Sequence, residues 1–110
     1  MDDKTALAYR MHGAANAGDY DAMDEIFAPG FVSHPLGTTG IEPIRAGWRA
    51  IRSAYPELHS EIRDVLVDGD RVAVRAEITG TPEPATLMEI FRVEDGRVAE
   101  LWGVTTLPLT

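Results

Sequence analysis

Glu89 is the residue whose position most clearly suggests chemistry, because it interrupts an apolar face. Leu87, Glu89 and Phe91 alternate along one predicted strand, and alternate residues of a strand share a face. A carboxylate on an apolar face either has a charged partner or works as an acid or base in a pocket. Glu89 is therefore the predicted catalytic acid/base, and the alternative is an ion pair with Arg75 or Arg92.

Two other side chains are predicted to assist such a base. Arg75 lies in the middle of a predicted strand, where it can bind a ligand oxygen or stabilise an enolate. His34 ends a short predicted strand and can share a proton with a carboxylate. The alternatives are a cross-strand ion pair of Arg75 on the outer face of the sheet and a surface position for His34. His12, on a helix flank, and His59, beside a strand start, are given less weight.

Five aromatic residues and a second carboxylate complete the predicted ligand-binding set. They are Tyr9, Trp48, Tyr55, Phe91, Glu100 and Trp102. Trp48 and Tyr55 belong to the apolar stripe of a predicted helix, where core packing and cavity lining are compatible because both face inward. Glu100 and Trp102 share one face of the last strand, and a structural hydrogen bond is the alternative for Glu100. The three histidines show no metal-ligand spacing, so no metal site is predicted.

The composition limits the functional classes. A length of 110 residues suits one core, so residues 1–110 are predicted to form a single domain. The net charge of −8 argues against nucleic-acid binding, which requires a basic surface. The chain has no cysteine, which excludes disulfides and fits a reducing compartment. Without a membrane-length apolar run or a signal-peptide pattern, the sequence predicts a cytoplasmic protein with no membrane partner.

The order of the predicted elements indicates an α+β fold. Helical patterns cover residues 2–17, 20–27 and 41–55, and the last of these has apolar residues spaced three and four apart. A short strand is predicted at 31–34. A four-stranded antiparallel meander then covers 58–67, 71–79, 85–93 and 97–107, with turns between the strands. Helices followed by strands favour three N-terminal helices packed on one face of a curved, mostly antiparallel sheet.

Six short strings occur in a fixed order along nearly the whole chain. They are Asn16-Ala17-Gly18-Asp19, Phe31-Val32-Ser33-His34-Pro35, Tyr55-Pro56-Glu57-Leu58, Gly69-Asp70-Arg71-Val72-Ala73-Val74-Arg75, Ile90-Phe91-Arg92-Val93-Glu94-Asp95-Gly96-Arg97-Val98 and Glu100-Leu101-Trp102. Each is weak alone, but the ordered set resembles the SnoaL-like polyketide cyclases of the nuclear transport factor two-like superfamily. The resemblance implies a cone-shaped, cystatin-like sheet whose concave face the helices close around an apolar cavity. It also implies a homodimer with sheets packed together.

The resemblance implies chemistry on a small hydrophobic, carbonyl-bearing molecule without a metal or organic cofactor. Family cyclases close a ring by an intramolecular aldol reaction, and by its place in the hairpin Glu89 corresponds to their acidic residue, which is usually an aspartate. Family cyclases also carry a histidine after a Gly-Thr pair, whereas here Pro82-Glu83-Pro84 follows Gly80-Thr81 and the hairpin is shorter. The predicted function is a cyclase, isomerase or lyase. The alternative is a ligand-binding or dimeric interaction module without catalysis.

Overall fold

A computed structural model describes residues 2–107, which form three helices and one six-stranded sheet. The elements are α1 (Asp3–Ala17), α2 (Met23–Ile26), β1 (Phe27–Ser33), β2 (Thr38–Thr39), α3 (Ile41–Ala54), β3 (His59–Asp68), β4 (Arg71–Thr79), β5 (Ala85–Glu94) and β6 (Arg97–Thr105). The strand order is β2-β1-β6-β5-β4-β3. Strand β1 is parallel to β6, and the other neighbouring strands are antiparallel. The predicted α+β class with three helices is confirmed.

The second helix is shorter than predicted, and the first strand is longer. The sequence pattern placed residues 20–27 in a helix, but α2 has a single turn and Phe27 is already extended, with φ −102° and ψ 144°. Phe27 pairs with Val98 of β6. Pairing with a strand seventy residues away thus decides the conformation here, and a local helical pattern carries no information about it.

Helix α1 has the termini that its sequence favours. The Asp2 carboxylate accepts a hydrogen bond from the backbone N–H of Lys4 at 2.7 Å and so caps α1. Gly18 adopts the left-handed conformation after the last turn. Between these ends, one face of α1 is buried. Its residues are Leu7, Ala8, Met11, His12 and Ala14. No helix within residues 2–107 is both long and apolar enough to cross a membrane.

The meander has a buried inner face and an exposed outer face. On β4 the apolar residues Val72, Val74, Ala76 and Ile78 are buried, and the residues between them are not. The register shifts once between β3 and β4 and once between β5 and β6. Such bulges increase the local twist and bend of a sheet. The sheet therefore curves, with its inner face turned toward α1 and α3.

Gly80 allows the connection after β4 to pass close to the start of β3. A Cβ at this position would lie 1.9 Å from the backbone oxygen of Glu57, and the φ of Gly80 is +77°. Both the left-handed conformation and the close backbone approach require glycine. The close approach of the Gly80 and Glu57 backbones lies beside the short connection from β4 to β5.

Candidate functional site

A cavity lies between α1, α3 and the inner face of the sheet. Its volume is about 480 Å³, within the range of about 300–1,000 Å³ that is usual for small-molecule sites. Most of its wall is apolar. Examples from five different elements are Met11, Phe31, Ile44, Trp48, Leu87 and Leu101.

One part of the cavity wall is polar and consists of His12, Ser60 and Glu89, which we call the inner cluster. The Nε2 atom of His12 lies 2.6 Å from Oε1 of Glu89. Its Nδ1 atom lies 2.7 Å from the Oγ of Ser60. All three residues are buried. Both nitrogens of one imidazole are therefore engaged by side chains from two different strands.

The inner cluster is assembled by three elements. His12 lies on the buried face of α1 beside Met11. Glu89 points inward from β5 because it alternates with the outward-facing Met88 and Ile90. Opposite Glu89 on β6 stands Gly103, which has no side chain and so leaves room above the carboxylate. The sheet thus provides an inward carboxylate with open space beside it.

Proton positions in the inner cluster follow from the inventory of donors and acceptors. An ionised Glu89 can only accept, so Nε2 of His12 carries the hydrogen and donates it. When the imidazole is neutral, its bare Nδ1 accepts from the Ser60 hydroxyl. Among residues 2–107 Glu89 uses Oε1 for this contact, and Oε2 is the oxygen that can serve a ligand. The arrangement suits acid/base chemistry, in which a positioned carboxylate takes and returns a proton.

Arg52 also lines the cavity, but its guanidinium is occupied by the backbone. One terminal nitrogen donates to the carbonyl oxygens of Pro56 at 3.1 Å and Leu58 at 2.7 Å. The other donates to those of Ala15 at 2.8 Å and Asn16 at 3.3 Å. This side chain therefore ties the end of α1 to the end of α3 and the start of β3. It is not available to bind an anionic ligand.

Four of the predicted site residues lie on the inner side of the sheet. Glu89 and Trp48 line the cavity, and Trp48 packs edge-on against Phe27 with ring centroids 5.7 Å apart. Phe91 is completely buried in the main core. Tyr55 packs against a smaller core at the other end of the sheet. The functional roles of all four stay predictions, since a position does not test a role.

The structure places His34, Glu100 and Trp102 on the outer face, where with Arg71 and Arg92 they form what we call the outer cluster. Nε2 of His34 lies 2.7 Å from Oε2 of Glu100, and Nε of Arg92 lies 3.3 Å from its Oε1. The pKa of Glu100 is lowered, chiefly by the hydrogen bond from His34; partial burial opposes this shift, and the bond from Arg92 adds to it. The His34 ring stacks on that of Trp102, and Arg71 also contacts the indole.

The remaining two predicted residues, Arg75 and Tyr9, also lie away from the cavity. Arg75 donates to Asp64 across the β3–β4 pair at 2.6 Å on the exposed face, which is the alternative considered from the sequence. Tyr9 is 48% exposed on α1. Strand alternation explains the outer positions, since residues 75, 100 and 102 point opposite to Glu89. Contact of these residues with a cavity ligand is therefore not supported by the geometry.

Two members of the inner cluster were not selected from the sequence. His12 was assigned to a helix flank, although it follows Met11 and lies one turn after Ala8 on the buried face. The spacing of four residues from Ala8 is the sequence signal that places His12 on the buried face. The resemblance implies a histidine after Gly80-Thr81, where this chain has Pro82. The imidazole near Glu89 comes from α1 instead. Ser60 carries no comparable signal. No group of three or more His, Asp or Glu side chains in the described part of the chain is arranged to hold a metal ion.

Several solved structures match this fold over nearly the whole chain. Protein SMa1630 from Sinorhizobium meliloti is 31% identical, with a TM-score of 0.80 over 94% of this chain and 100% of that one. TsrD from Streptomyces laurentii is 26% identical, with a TM-score of 0.84 over 96% and 91%. A SnoaL-like polyketide cyclase from Agrobacterium tumefaciens strain C58 is 14% identical, with a TM-score of 0.84 over 96% and 92%, and shows likeness of fold alone.

No curated protein is significantly similar to the sequence. The profile of the SnoaL-like domain, however, matches residues 8–101. That match spans α1 through most of β6, and so includes His12, Ser60 and Glu89. The sequence match and the shared fold agree, and the chain belongs to the SnoaL-like domain family.

Proposed function

We propose that this protein binds a small, uncharged, hydrophobic carbonyl compound and catalyses proton transfer on it without a cofactor. Aldol cyclisation and double-bond isomerisation are both reactions of this class. The observation that carries the proposal is the buried Glu89 carboxylate, hydrogen-bonded to His12 in the wall of a largely apolar cavity. A carboxylate in such surroundings is a recurrent feature of acid/base sites.

In the proposed reaction, Glu89 removes a proton from the carbon beside the substrate carbonyl through Oε2. The C–H electron pair becomes the enolate, and the proton stays on Glu89. In a cyclisation the enolate carbon attacks a second carbonyl, and the resulting alkoxide takes the proton back. In an isomerisation the proton returns to a different carbon. Neither route changes the oxidation state or needs a co-reactant, and positioned acid/base groups contribute about 10²–10⁴-fold to such steps.

The charges around the cavity favour a neutral substrate. Arg52, the only lysine or arginine lining it among the described residues, is occupied by four carbonyl oxygens. The chain as a whole carries a net charge of −8, which repels anions. We therefore expect 2-tetralone, a neutral bicyclic ketone, to bind more tightly than its 6-carboxylate. Isothermal titration with the two compounds measures the difference, and equal affinity would contradict a neutral substrate class.

The test of catalysis is deuterium uptake at the acidic carbon of 2-tetralone in D₂O, followed by proton NMR. The wild-type protein is expected to accelerate the exchange, and Glu89→Gln to lower that acceleration by about 10²-fold or more. Glu100→Gln is the matched control, because it makes the same change in a carboxylate on the outer face. Thermal unfolding of each variant establishes that the fold is retained.

Two outcomes would contradict parts of this proposal. Exchange at the wild-type rate in Glu89→Gln would show that Glu89 is not the base. A rise in the melting temperature on adding 2-tetralone, without any exchange by the wild-type protein, would favour the alternative of a ligand-binding module. The two results are separable because binding and exchange are measured independently.

We also propose that the predicted homodimer forms through the outer face of the sheet. The register aligns Leu66 with Ala73, Ala73 with Ile90, and Ile90 with Trp102. These four side chains therefore form an apolar row across β3, β4, β5 and β6. Leu66 is 70% exposed and Ile90 is 45% exposed. An apolar row of this kind on a sheet face is typical of a surface that another protein covers.

A second copy of the chain is the occupant that the charges favour. Beside the apolar row, Arg75 pairs with Asp64 and Arg92 pairs with Glu100 within the same chain. Two such faces can meet without bringing unpaired like charges together, despite the acidity of each chain. Sedimentation equilibrium is expected to give twice the chain mass for the wild-type protein and the chain mass for Ile90→Arg. A monomeric wild-type protein at micromolar concentration would contradict the dimer.

A further inference from the structure

We infer that the Ser60 hydroxyl, held in place by Asn16, orients the His12 ring toward Glu89 and keeps its Nδ1 hydrogen-bonded in every proton state of the site. Ser60 is thus a positioning residue that acts on Glu89 through His12. The catalytic consequence rests on the proposed function. The hydrogen bond between Ser60 and Nδ1 of His12 does not, because it is a property of the free protein.

The first step of the argument is the two-sided engagement of the imidazole. With Glu89 ionised and His12 neutral, Nε2 of His12 donates and Nδ1 accepts. Ser60 Oγ, at 2.7 Å, is the group that can donate to it. In the imidazolium form of His12, Nδ1 is a donor as well, and the same hydroxyl rotates to accept. A hydroxyl serves both states because it has one hydrogen and two lone pairs.

The second step is the clamp that holds Ser60 in place. The side-chain Oδ1 of Asn16 accepts from the backbone N–H of Ser60 at 2.7 Å. The amide nitrogen of Asn16 donates to the backbone carbonyl of Ser60 at 2.8 Å. Asn16 follows His12 by four residues on α1, so both side chains project from the same side of the helix. One helix therefore supplies the imidazole and also fixes its hydroxyl partner.

The third step separates a positioning role from a nucleophilic one. A serine, a histidine and an acid also make up the triad of many acyl-transfer enzymes. Such a triad needs backbone N–H groups that stabilise the oxyanion, often including that of the serine itself. Here the Ser60 N–H is bonded to Asn16. The arrangement therefore fits a hydroxyl that orients an imidazole rather than one that attacks a substrate.

Nitrogen-15 NMR of histidine in the substrate-free protein tests the inference directly. For neutral His12 we expect the wild-type protein to show the Nε2–H tautomer with a hydrogen-bonded Nδ1, and Ser60→Ala to shift the Nδ1 resonance toward that of a ring nitrogen that accepts no hydrogen bond. Asn16→Ala is expected to do the same to a lesser degree, which gives a second reading if Ser60→Ala does not fold. Ser33→Ala is the matched control, since Ser33 is a buried serine whose hydroxyl accepts from the backbone of Leu36 instead.

The pH profile of the exchange rate is a measurement that a purely structural role of Ser60 would leave unchanged. Ser60→Ala is expected to slow exchange of 2-tetralone by about tenfold, because a buried ring nitrogen loses its partner, and to change the pH profile of the rate. Ser60→Thr retains a hydroxyl and is expected to restore both. An unchanged Nδ1 resonance of His12 in Ser60→Ala would overturn the inference. So would covalent labelling of Ser60 by diethyl p-nitrophenyl phosphate, since that reagent reports a nucleophile. Absence of exchange in the wild-type protein would count against the proposed function alone.

Discussion

Two histidine–glutamate pairs lie on opposite faces of the same sheet at almost the same distance. In the inner cluster, His12 and Glu89 are 2.6 Å apart, and their side chains are 8% and 7% exposed. In the outer cluster, His34 and Glu100 are 2.7 Å apart, with side chains 45% and 24% exposed. The distance therefore does not distinguish the two pairs. What differs is the access of water, which screens the outer pair much more strongly.

The second partners of the two carboxylates also differ. Glu100 has Arg92 as well as His34, and together they lower its pKa. A carboxylate that is stabilised in this way is a poor proton acceptor. Glu89 has no arginine or lysine within salt-bridge distance among residues 2–107, and an open cavity lies beside it. The comparison explains why the inner pair, and not the outer one, carries the proposed chemistry.

The largest expected difference between the two faces concerns stability. Arg52→Met removes hydrogen bonds to four backbone carbonyls around the cavity, and we expect it to lower the free energy of unfolding by about 3 kcal/mol. Arg75→Met removes an exposed pair on the outer face, with an expected loss of about 0.5 kcal/mol or less. Urea unfolding followed by circular dichroism measures both. Equal losses would contradict the assignment of Arg52 as an internal tie.

A smaller difference is expected between the two histidines. His12→Gln leaves Glu89 without the ring that orients it, and we expect exchange of 2-tetralone to fall by about 10–100-fold. His34→Gln changes the outer cluster, where His34 contacts Glu100 rather than Glu89. We therefore expect its exchange rate to stay within about twofold of the wild-type rate. The initial rate of deuterium uptake at saturating ketone is the measurement. A comparable loss in both variants would show that the two faces are coupled.

The smallest expected effect is the pH dependence of stability from Glu100. Its pKa is lower in the folded protein than its ordinary value of 4.5, so its contribution is present above pH 4.5 and is lost as the pH falls through the folded value. Glu100→Gln should therefore be less stable than the wild type at pH 6, and the difference should shrink as the pH approaches 3. Urea midpoints across this range test it. A difference in stability that stays constant at all pH values would contradict a lowered pKa of Glu100 in the folded protein.

The sequence predicts most of the elements and groups the residues of each by face. The alternation of Leu87, Glu89 and Phe91 places the carboxylate inward, because a strand has a local period of two residues. The stripe that contains Trp48 faces the cavity for the corresponding helical reason. The assignment of Glu100 and Trp102 to a shared face also agrees with the structure, although that face is the outer one. Periodicity groups residues by face but does not say which face is inside.

What the sequence determines by itself is therefore local: the α+β order, the caps of α1, the turns, and an acidic residue on the apolar side of β5. The tertiary structure alone decides which groups meet. His12 and Glu89 are separated by 77 residues, and β1 pairs in parallel with the distant β6. The physical reason is that local periodicity fixes the direction in which a side chain points, whereas the packing of α1 on a curved sheet fixes what it points at.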